Sequence, residues 1–98
     1  MAWRIIKQPN GKFARFSEVV DDFTHYDLTE SEVIQLCRES YGLTLWEATT
    51  KLSNSIANPN RFNEEINTIE LKHGKKQAKE REKELSANTD ATIEGKMQ

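Results

Sequence analysis

Residues 3–17 decide the fold of this chain, and they read WRIIKQPNGKFARFS. Two runs of β-prone residues flank Pro9-Asn10-Gly11, an arrangement that is typical of a β-hairpin. Pro9 fixes φ at the first turn position, and Gly11 can adopt the left-handed conformation that a type I turn with a bulge requires. The stretch therefore predicts two antiparallel strands joined by a tight turn.

Both faces of the predicted hairpin are partly apolar, and Ile6 is expected opposite Ala14. A two-stranded sheet cannot bury two faces by itself, so we expect helices to cover one of them. The other would meet a third strand, the chain around Val19-Val20, or a second copy of the protein, which predicts a homodimer or higher oligomer. The apolar side chains divide into Trp3, Ile5 and Phe13 on one face and Ile6, Ala14 and Phe16 on the other.

Start and stop signals for helices follow the hairpin. Thr29 and Thr44 each begin a capping box, because Glu32 and Glu47 occupy the third helical positions. Gly42 suits the left-handed residue that ends the first of these helices. The apolar residues expected on inner faces are Val33, Ile34, Leu36, Cys37 and Tyr41 in the first helix, Leu45, Ala48, Leu52 and Ile56 in the second, and Phe62, Ile66 and Ile69 in a third helix after Asn60.

These signals predict an α+β fold, in which an antiparallel hairpin, with or without a third short strand, packs on two to three helices. Residues 18–28 mix apolar and acidic side chains and are interpreted as a short strand or an irregular crossover. We expect a small α+β domain over residues 1–70. Residues 71–85 have strong helix formers but almost no apolar stripe, so they predict a charged, solvated helical extension. The composition of residues 86–98 predicts a disordered tail.

The sequence carries few of the patterns that catalysis or cofactor binding requires. Its four glycines are isolated, so it has no GxGxxG or Walker-type phosphate loop. Cys37, the single cysteine, falls on an apolar helical stripe and is expected in the core rather than as a nucleophile. Asp21, Asp22, His25 and Asp27 are metal-capable, yet their spacing matches no metal-binding loop. We therefore expect neither an enzyme nor a bound metal or cofactor.

The hairpin interleaves cations with aromatic residues, which supports three interpretations. Such a surface can stack bases and pair with phosphates, or it can form the hot spot of a protein interface. Alternatively, the aromatic residues are core and the cations only solvate an edge strand. Trp46 is expected in the core, with a partner anchor as the alternative. The candidate binding residues are Trp3, Arg4, Lys7, Phe13, Arg15 and Phe16, with His25 and Tyr26 in the following segment.

Charge and hydropathy limit the partners that this chain can take. Residues 1–70 carry 7 Lys+Arg and 11 Asp+Glu, a net charge of −4. This balance argues against a broad phosphate-binding face, so nucleic acid is not a favoured partner. The apolar runs are too short for a membrane span. A single cysteine cannot form an internal disulfide, which favours a reducing, cytoplasmic location.

Residues 3–17, followed by VVDDFTHYDLT over residues 19–29, resemble the N-terminus of small uncharacterised proteins encoded by phages and prophages. The resemblance covers about residues 3–42. It implies a mobile-element origin and action in the host cytoplasm, and it implies no functional residues. Small phage accessory proteins often bind and block host factors, including defence systems, which is an argument by association.

The leading hypothesis is therefore a non-enzymatic binding protein that inhibits or modulates a host protein. One alternative is an oligomer that sequesters a phosphorylated nucleotide through Arg4, Lys7 and Arg15 with the nearby aromatic residues. A second alternative is a nucleic-acid-binding regulator that uses a local basic patch. A hydrolase or metal enzyme built on Asp21, Asp22 and His25 is the weakest interpretation.

Overall fold

A computed structural model describes residues 2–87, which form a three-stranded sheet followed by four helices. The strands are antiparallel and lie in the order β1-β2-β3, so β2 is central. This is the predicted α+β fold. The elements are β1 (Trp3–Lys7), β2 (Phe13–Ser17), β3 (Asp22–Leu28), α1 (Glu30–Tyr41), α2 (Leu45–Ala57), α3 (Arg61–His73) and α4 (Lys75–Ser86).

The β1–β2 hairpin has the predicted register and turn. Ile6 pairs with Ala14, and the backbone amide of Gln8 donates to the carbonyl of Lys12 at 2.9 Å. Gly11 has φ +88°, a conformation that a residue with a Cβ rarely adopts. The alternation of side chains along β1 and β2 then separates the two apolar sets, because paired residues share a face.

Residues 22–28 form β3, which extends the sheet beside β2 and does not cover either face. Its register with β2 is irregular around Arg15, and Asp27 has φ +59°. Val19 and Val20 lie in the turn before β3 and are exposed. The alternative in which this part of the chain covers the hairpin is therefore wrong.

The α1–α2 side of the sheet is the side that carries Ile5 and Phe13. Both capping boxes are confirmed, with the Oγ1 atoms of Thr29 and Thr44 accepting from the backbone amides of Glu32 and Glu47. Gly42 has φ +67° and ends α1 as predicted. The buried residues of this side are Ile5, Phe13, Val33, Cys37 and Ala48, with Trp3, Leu28, Ile34, Leu43 and Leu52 packed around them.

The α3–α4 side of the sheet carries Ile6, Ala14 and Phe16. These residues pack with Phe23 of β3 and with the predicted inner face of α3. Two residues of α4 complete the cluster, which consists of Ile6, Ala14, Phe16, Phe23, Phe62, Ile66, Ile69, Ala78 and Leu85. The core therefore continues past residue 70, which itself lies inside α3.

The expectation of a solvated extension over residues 71–85 is wrong, because α4 packs on the fold. Leu85 is 0% exposed, and Ala78 is buried. Polar contacts supply much of the remaining attachment: the Arg81 guanidinium binds the Asp22 carboxylate at 3.0 Å, and Gln77 donates to the same carboxylate at 2.8 Å. Two buried apolar residues among the twelve of α4 are enough to hold the helix on the fold, because polar side chains attach the rest of it. The predicted tail beyond Ala87 lies outside the described residues.

Gln8 joins the hairpin turn to the end of α4. Its side chain is buried, and its Nε2 donates to the carbonyl of Leu85 at 2.8 Å and to Asp27 Oδ1 at 2.9 Å. Its Oε1 accepts from the backbone amide of Asp27 at 2.6 Å. Buried polar groups are costly unless they are hydrogen-bonded, and this amide meets that condition on both its atoms.

Both sides of the sheet are thus covered by helices of the same chain. We expected helices on one side only, with the other side meeting a third strand, the chain around Val19-Val20 or a second copy of the protein. The structure removes that argument for a dimer, because Phe13 and Phe16 are 3% and 1% exposed on opposite sides. A site for partners has to be sought on the outer surfaces of the helices and on the sheet edges.

Candidate functional site

The predicted binding residues of the hairpin do not form one surface. Phe13 and Phe16 lie in the two cores, so neither can contact a partner. Arg4 pairs across the strands with Phe16, and Arg15 pairs with Ile5, which places the two arginines on opposite sides of the sheet. A phosphate site that uses both arginines is therefore not formed.

Arg4 is held by acidic residues of its own chain. Its guanidinium binds Glu18 in the turn before β3 and Glu65 on α3, which is buried. A buried carboxylate needs such a partner, because an unpaired buried charge is strongly destabilising. Arg4 thus contributes to attaching α3 to β1, and little of its charge is left for a ligand.

Arg15 lies against aromatic rings on the α1–α2 side. Its guanidinium carbon is 5.0 Å from the ring centroid of Trp3 and 4.7 Å from that of Tyr41. Its Nη1 donates to Thr24 Oγ1 at 2.7 Å, whereas its buried Nε has no hydrogen-bond partner among residues 2–87. The ring faces compensate part of that deficit through cation–π attraction. Trp3 and Arg15 are therefore brought together as part of the packing.

The remaining predicted residues are scattered. Tyr26 is exposed on β3, and Lys7 lies beside Pro9 and Pro59 near the α2–α3 connection. His25 lies next to Arg15 and contacts Thr24 Oγ1 at 3.0 Å. Partial burial and, to a lesser extent, the Arg15 charge lower the pKa of His25. These side chains do not converge on one another.

The residues considered for chemistry have structural partners instead. Asp22 binds Arg81, and Asp27 binds Gln8 and Asn10. Within residues 2–87, no group of three or more His, Cys, Asp or Glu side chains is placed to hold a metal ion. Cys37 is in the core as predicted, and burial raises the pKa of its thiol despite the opposing charges of Lys51 and Arg15.

The outer surface of α2 presents the most exposed large aromatic side chain among residues 2–87. Trp46 is 77% exposed, so its expected place in the core is wrong. The line of α2 that faces the sheet runs through Ala48, Leu52 and Ser55, and Trp46 lies roughly 160° around the helix from Ala48. Leu45 and Ile56, also expected inside, are 54% and 44% exposed at the margin of that line.

A groove runs along α2 beside Trp46. We call this groove and its walls the α2 surface; its residues are Leu43, Trp46, Glu47, Thr50, Lys51 and Asn54. The groove encloses about 230 Å³. The capping box fixes the first turn of α2, which holds the backbone of Trp46 in place. The surface therefore combines a large apolar side chain with a rigid support.

A smaller polar cleft continues the α2 surface towards β1, and Lys51 and Asn54 line both. The cleft encloses about 150 Å³, which is less than the 300–1,000 Å³ typical of small-molecule sites. It is therefore small for a nucleotide. Its lining residues are Arg4, Ile5, Lys51, Asn54, Ser55, Asn58 and Arg61.

Sequence reasoning missed the α2 surface because it favoured the hairpin. One signal was available: α2 has only two charged residues, Glu47 and Lys51, among thirteen, in a chain that is 31% charged. Centres of protein interfaces are depleted of charge and enriched in aromatic residues. Trp46 also lies beside the apolar stripe of this helix rather than on it, a position that indicates an outward-facing side chain.

None of the helices in residues 2–87 has the length and hydropathy to cross a membrane. Comparisons of the chain with protein-family models, with curated proteins and with solved structures found no match. The geometry of the α2 surface is therefore the basis for the functional proposal.

Proposed function

We propose that this protein is a non-enzymatic binding protein that docks on a partner protein through the α2 surface, with Trp46 as the anchor. The observation that carries the proposal is the 77% exposure of Trp46 beside a groove on a weakly charged helix. Leaving an indole in water forgoes the hydrophobic gain of burial, about 1.5–3 kcal/mol for a large apolar side chain. A partner pocket that receives Trp46 would recover that free energy.

The composition of the α2 surface supports a protein partner. Tryptophan is among the residues most enriched in binding hot spots, and hot spots have a surround that excludes water. Leu43 and the aliphatic part of Lys51 supply that surround at the groove, and Leu45 adds a second exposed apolar side chain at the start of the helix. The helix is already formed, so docking costs little backbone entropy.

The resemblance of residues 3–42 to phage-encoded proteins directs the search to a host protein. A protein of this size acts on such a target by covering a surface that the target needs, which inhibits or modulates it. The nucleotide-sequestering alternative is less well supported, because Arg4 is bound to Glu18 and Glu65 and lies on the other side of the sheet from Arg15.

The experiment is quantitative affinity capture from a host lysate with the wild-type chain, Trp46→Ala and Leu71→Ala. Leu71 is the matched control, since it is 85% exposed on α3. We expect a stoichiometric partner on the wild type and on Leu71→Ala, and a loss of about tenfold or more on Trp46→Ala, which is about 1.4 kcal/mol.

Circular dichroism and the melting temperature of each variant check that the fold is unchanged, because substitutions at exposed positions usually alter stability by less than about 0.5 kcal/mol. Recovery of no stoichiometric partner, or equal recovery on Trp46→Ala, would contradict the proposal.

A further inference from the structure

We infer that the partner of the α2 surface presents a carboxylate to Lys51 next to the apolar pocket that receives Trp46, so the ligand is a short acidic segment of a protein. This inference rests on the proposed function and names the chemistry of its partner. It is carried by Lys51, which lines both the groove beside Trp46 and the polar cleft.

Lys51 is the cation lining the cleft that has no carboxylate within ion-pair distance among residues 2–87. Arg4 binds Glu18 and Glu65, and Arg61 pairs with Glu64 at 3.6 Å. In the described part of the chain, no carboxylate forms an ion pair with Lys51. Among the three cations that line the cleft, Lys51 is the one that also lines the groove beside Trp46, so it is the cation that an anion bound next to Trp46 would meet.

The present contact of Lys51 leaves it available. Its ammonium is 4.5 Å from the ring centroid of Trp3, a cation–π contact on a half-buried side chain. Such a contact uses the face of the ammonium towards the ring and leaves N–H donors for another partner. A carboxylate can accept a hydrogen bond from these donors in which both partners are ionised, which is among the strong hydrogen bonds of proteins.

The size and the charge of the cleft favour a carboxylate over a phosphorylated ligand. A single carboxylate matches the single charge of Lys51, whereas a nucleotide phosphate would bring more negative charge to a region that already holds Glu47, which lines the groove with Lys51, and Glu64, the partner of Arg61. The cleft of about 150 Å³ accommodates an Asp or Glu side chain but is small for a nucleotide. Asn54 and Asn58 line the same cleft and supply amide groups beside Lys51.

The spacing on α2 predicts a spacing in the ligand. Lys51 follows Trp46 by five residues, which is about 7.5 Å along the helix axis and about 140° around it, so the two backbone positions are roughly 9 Å apart. An extended peptide advances about 3.3 Å per residue. The acidic residue of an extended ligand should therefore lie about three positions from the apolar residue that contacts Trp46.

The test is a selection of displayed random peptides of about 12 residues on the full-length chain, with depletion on Trp46→Ala. Selected peptides are then titrated by fluorescence anisotropy against the wild type, Lys51→Glu and Lys51→Met. Lys79→Glu is the matched control, because it makes the same charge change on the exposed face of α4. Melting temperatures verify that each variant folds, and Lys51→Met retains the aliphatic stem against Trp3.

We expect the Trp46-dependent peptides to contain Asp or Glu at the predicted spacing. Lys51→Glu should raise their Kd about tenfold or more, Lys51→Met less, and Lys79→Glu less than about twofold. An amide in place of the peptide carboxylate should weaken binding to the wild type but not to Lys51→Met. Trp46-dependent peptides that lack acids, or that bind the Lys51 variants unchanged, would overturn this inference alone. A selection without any Trp46-dependent peptide would contradict the α2 surface itself.

Discussion

The two sides of the sheet are held by different means. On the α1–α2 side, two helices that are adjacent in sequence begin with capping boxes and pack small and branched residues on Ile5 and Phe13. On the α3–α4 side, α4 contributes few apolar residues, and long-range polar contacts attach it to the sheet. The Arg81–Asp22 pair spans 59 positions of sequence, and the Gln8–Leu85 hydrogen bond spans 77. The packing of the α1–α2 side therefore depends on elements that are close in sequence, whereas the packing of the α3–α4 side depends on contacts between distant parts of the chain.

The largest expected effects test whether both sides are equally packed. Phe13 and Phe16 form a matched pair, because they are the same residue type in β2 and face opposite sides. Phe13→Ala and Phe16→Ala should each lower the free energy of unfolding by about 3–5 kcal/mol, since each leaves a cavity in a core. That loss is a large share of the 5–15 kcal/mol that is typical of native proteins. Urea denaturation measures both, and a cost below about 1 kcal/mol for either variant would show that its side is not packed in solution.

The next effect tests the attachment of α4. Leu85→Ala should lower the free energy of unfolding by about 2–5 kcal/mol, because the side chain is 0% exposed in the cluster on the α3–α4 side. Leu71→Ala is the control, with an expected change within about 0.5 kcal/mol at an exposed position. If the two variants have the same urea midpoint, α4 does not pack on the fold in solution. The α3–α4 side of the sheet would then be covered by α3 alone.

The smallest expected effect concerns acid sensitivity on the α1–α2 side, where His25 lies beside Arg15. Because the folded state lowers the pKa of His25 below the unfolded value, the unfolded chain binds more protons as the pH falls. This contribution to stability is fully present above about pH 6.5 and is lost as the pH falls towards the lower folded pKa. His25→Gln should therefore show a smaller decrease in Tm than the wild type between about pH 7.5 and pH 5. Equal decreases in thermal melts would show that His25 does not contribute.

Much of the fold could be predicted because its signals are local. The Pro9-Asn10-Gly11 turn fixes the hairpin register, and Thr29 and Thr44 mark two helix starts through residues three positions away. The role of α4 could not be predicted in this way. Ala78 and Leu85 form no stripe that periodicity detects, and the partners of Arg81 and Leu85 lie near the other end of the described chain.

The candidate site was harder to predict than the fold. The sequence shows that Trp46 belongs to the first turn of a helix, but the side of α2 that faces the sheet depends on which residues fit there. Ala48 and Ser55 are small, which lets the helix pack close to the sheet and turns Trp46 outwards. The arginines of the hairpin suggested a binding surface that the structure does not form. Arg4 and Arg15 contact residues of their own chain, which a sequence does not reveal.

The hydrogen bond from Gln8 to Leu85 has a consequence for synthesis on the ribosome. The residues of the α1–α2 side have all been made once α2 is complete at Ala57, whereas Gln8 has to wait for Leu85. At about 5–20 residues per second, that interval lasts about a few seconds, during which Ile6 and Phe16 have only part of their cover. The nascent chain therefore completes its two cores in a fixed order, because Gln8, the first residue of the hairpin turn, meets its partner only after α4 has been made.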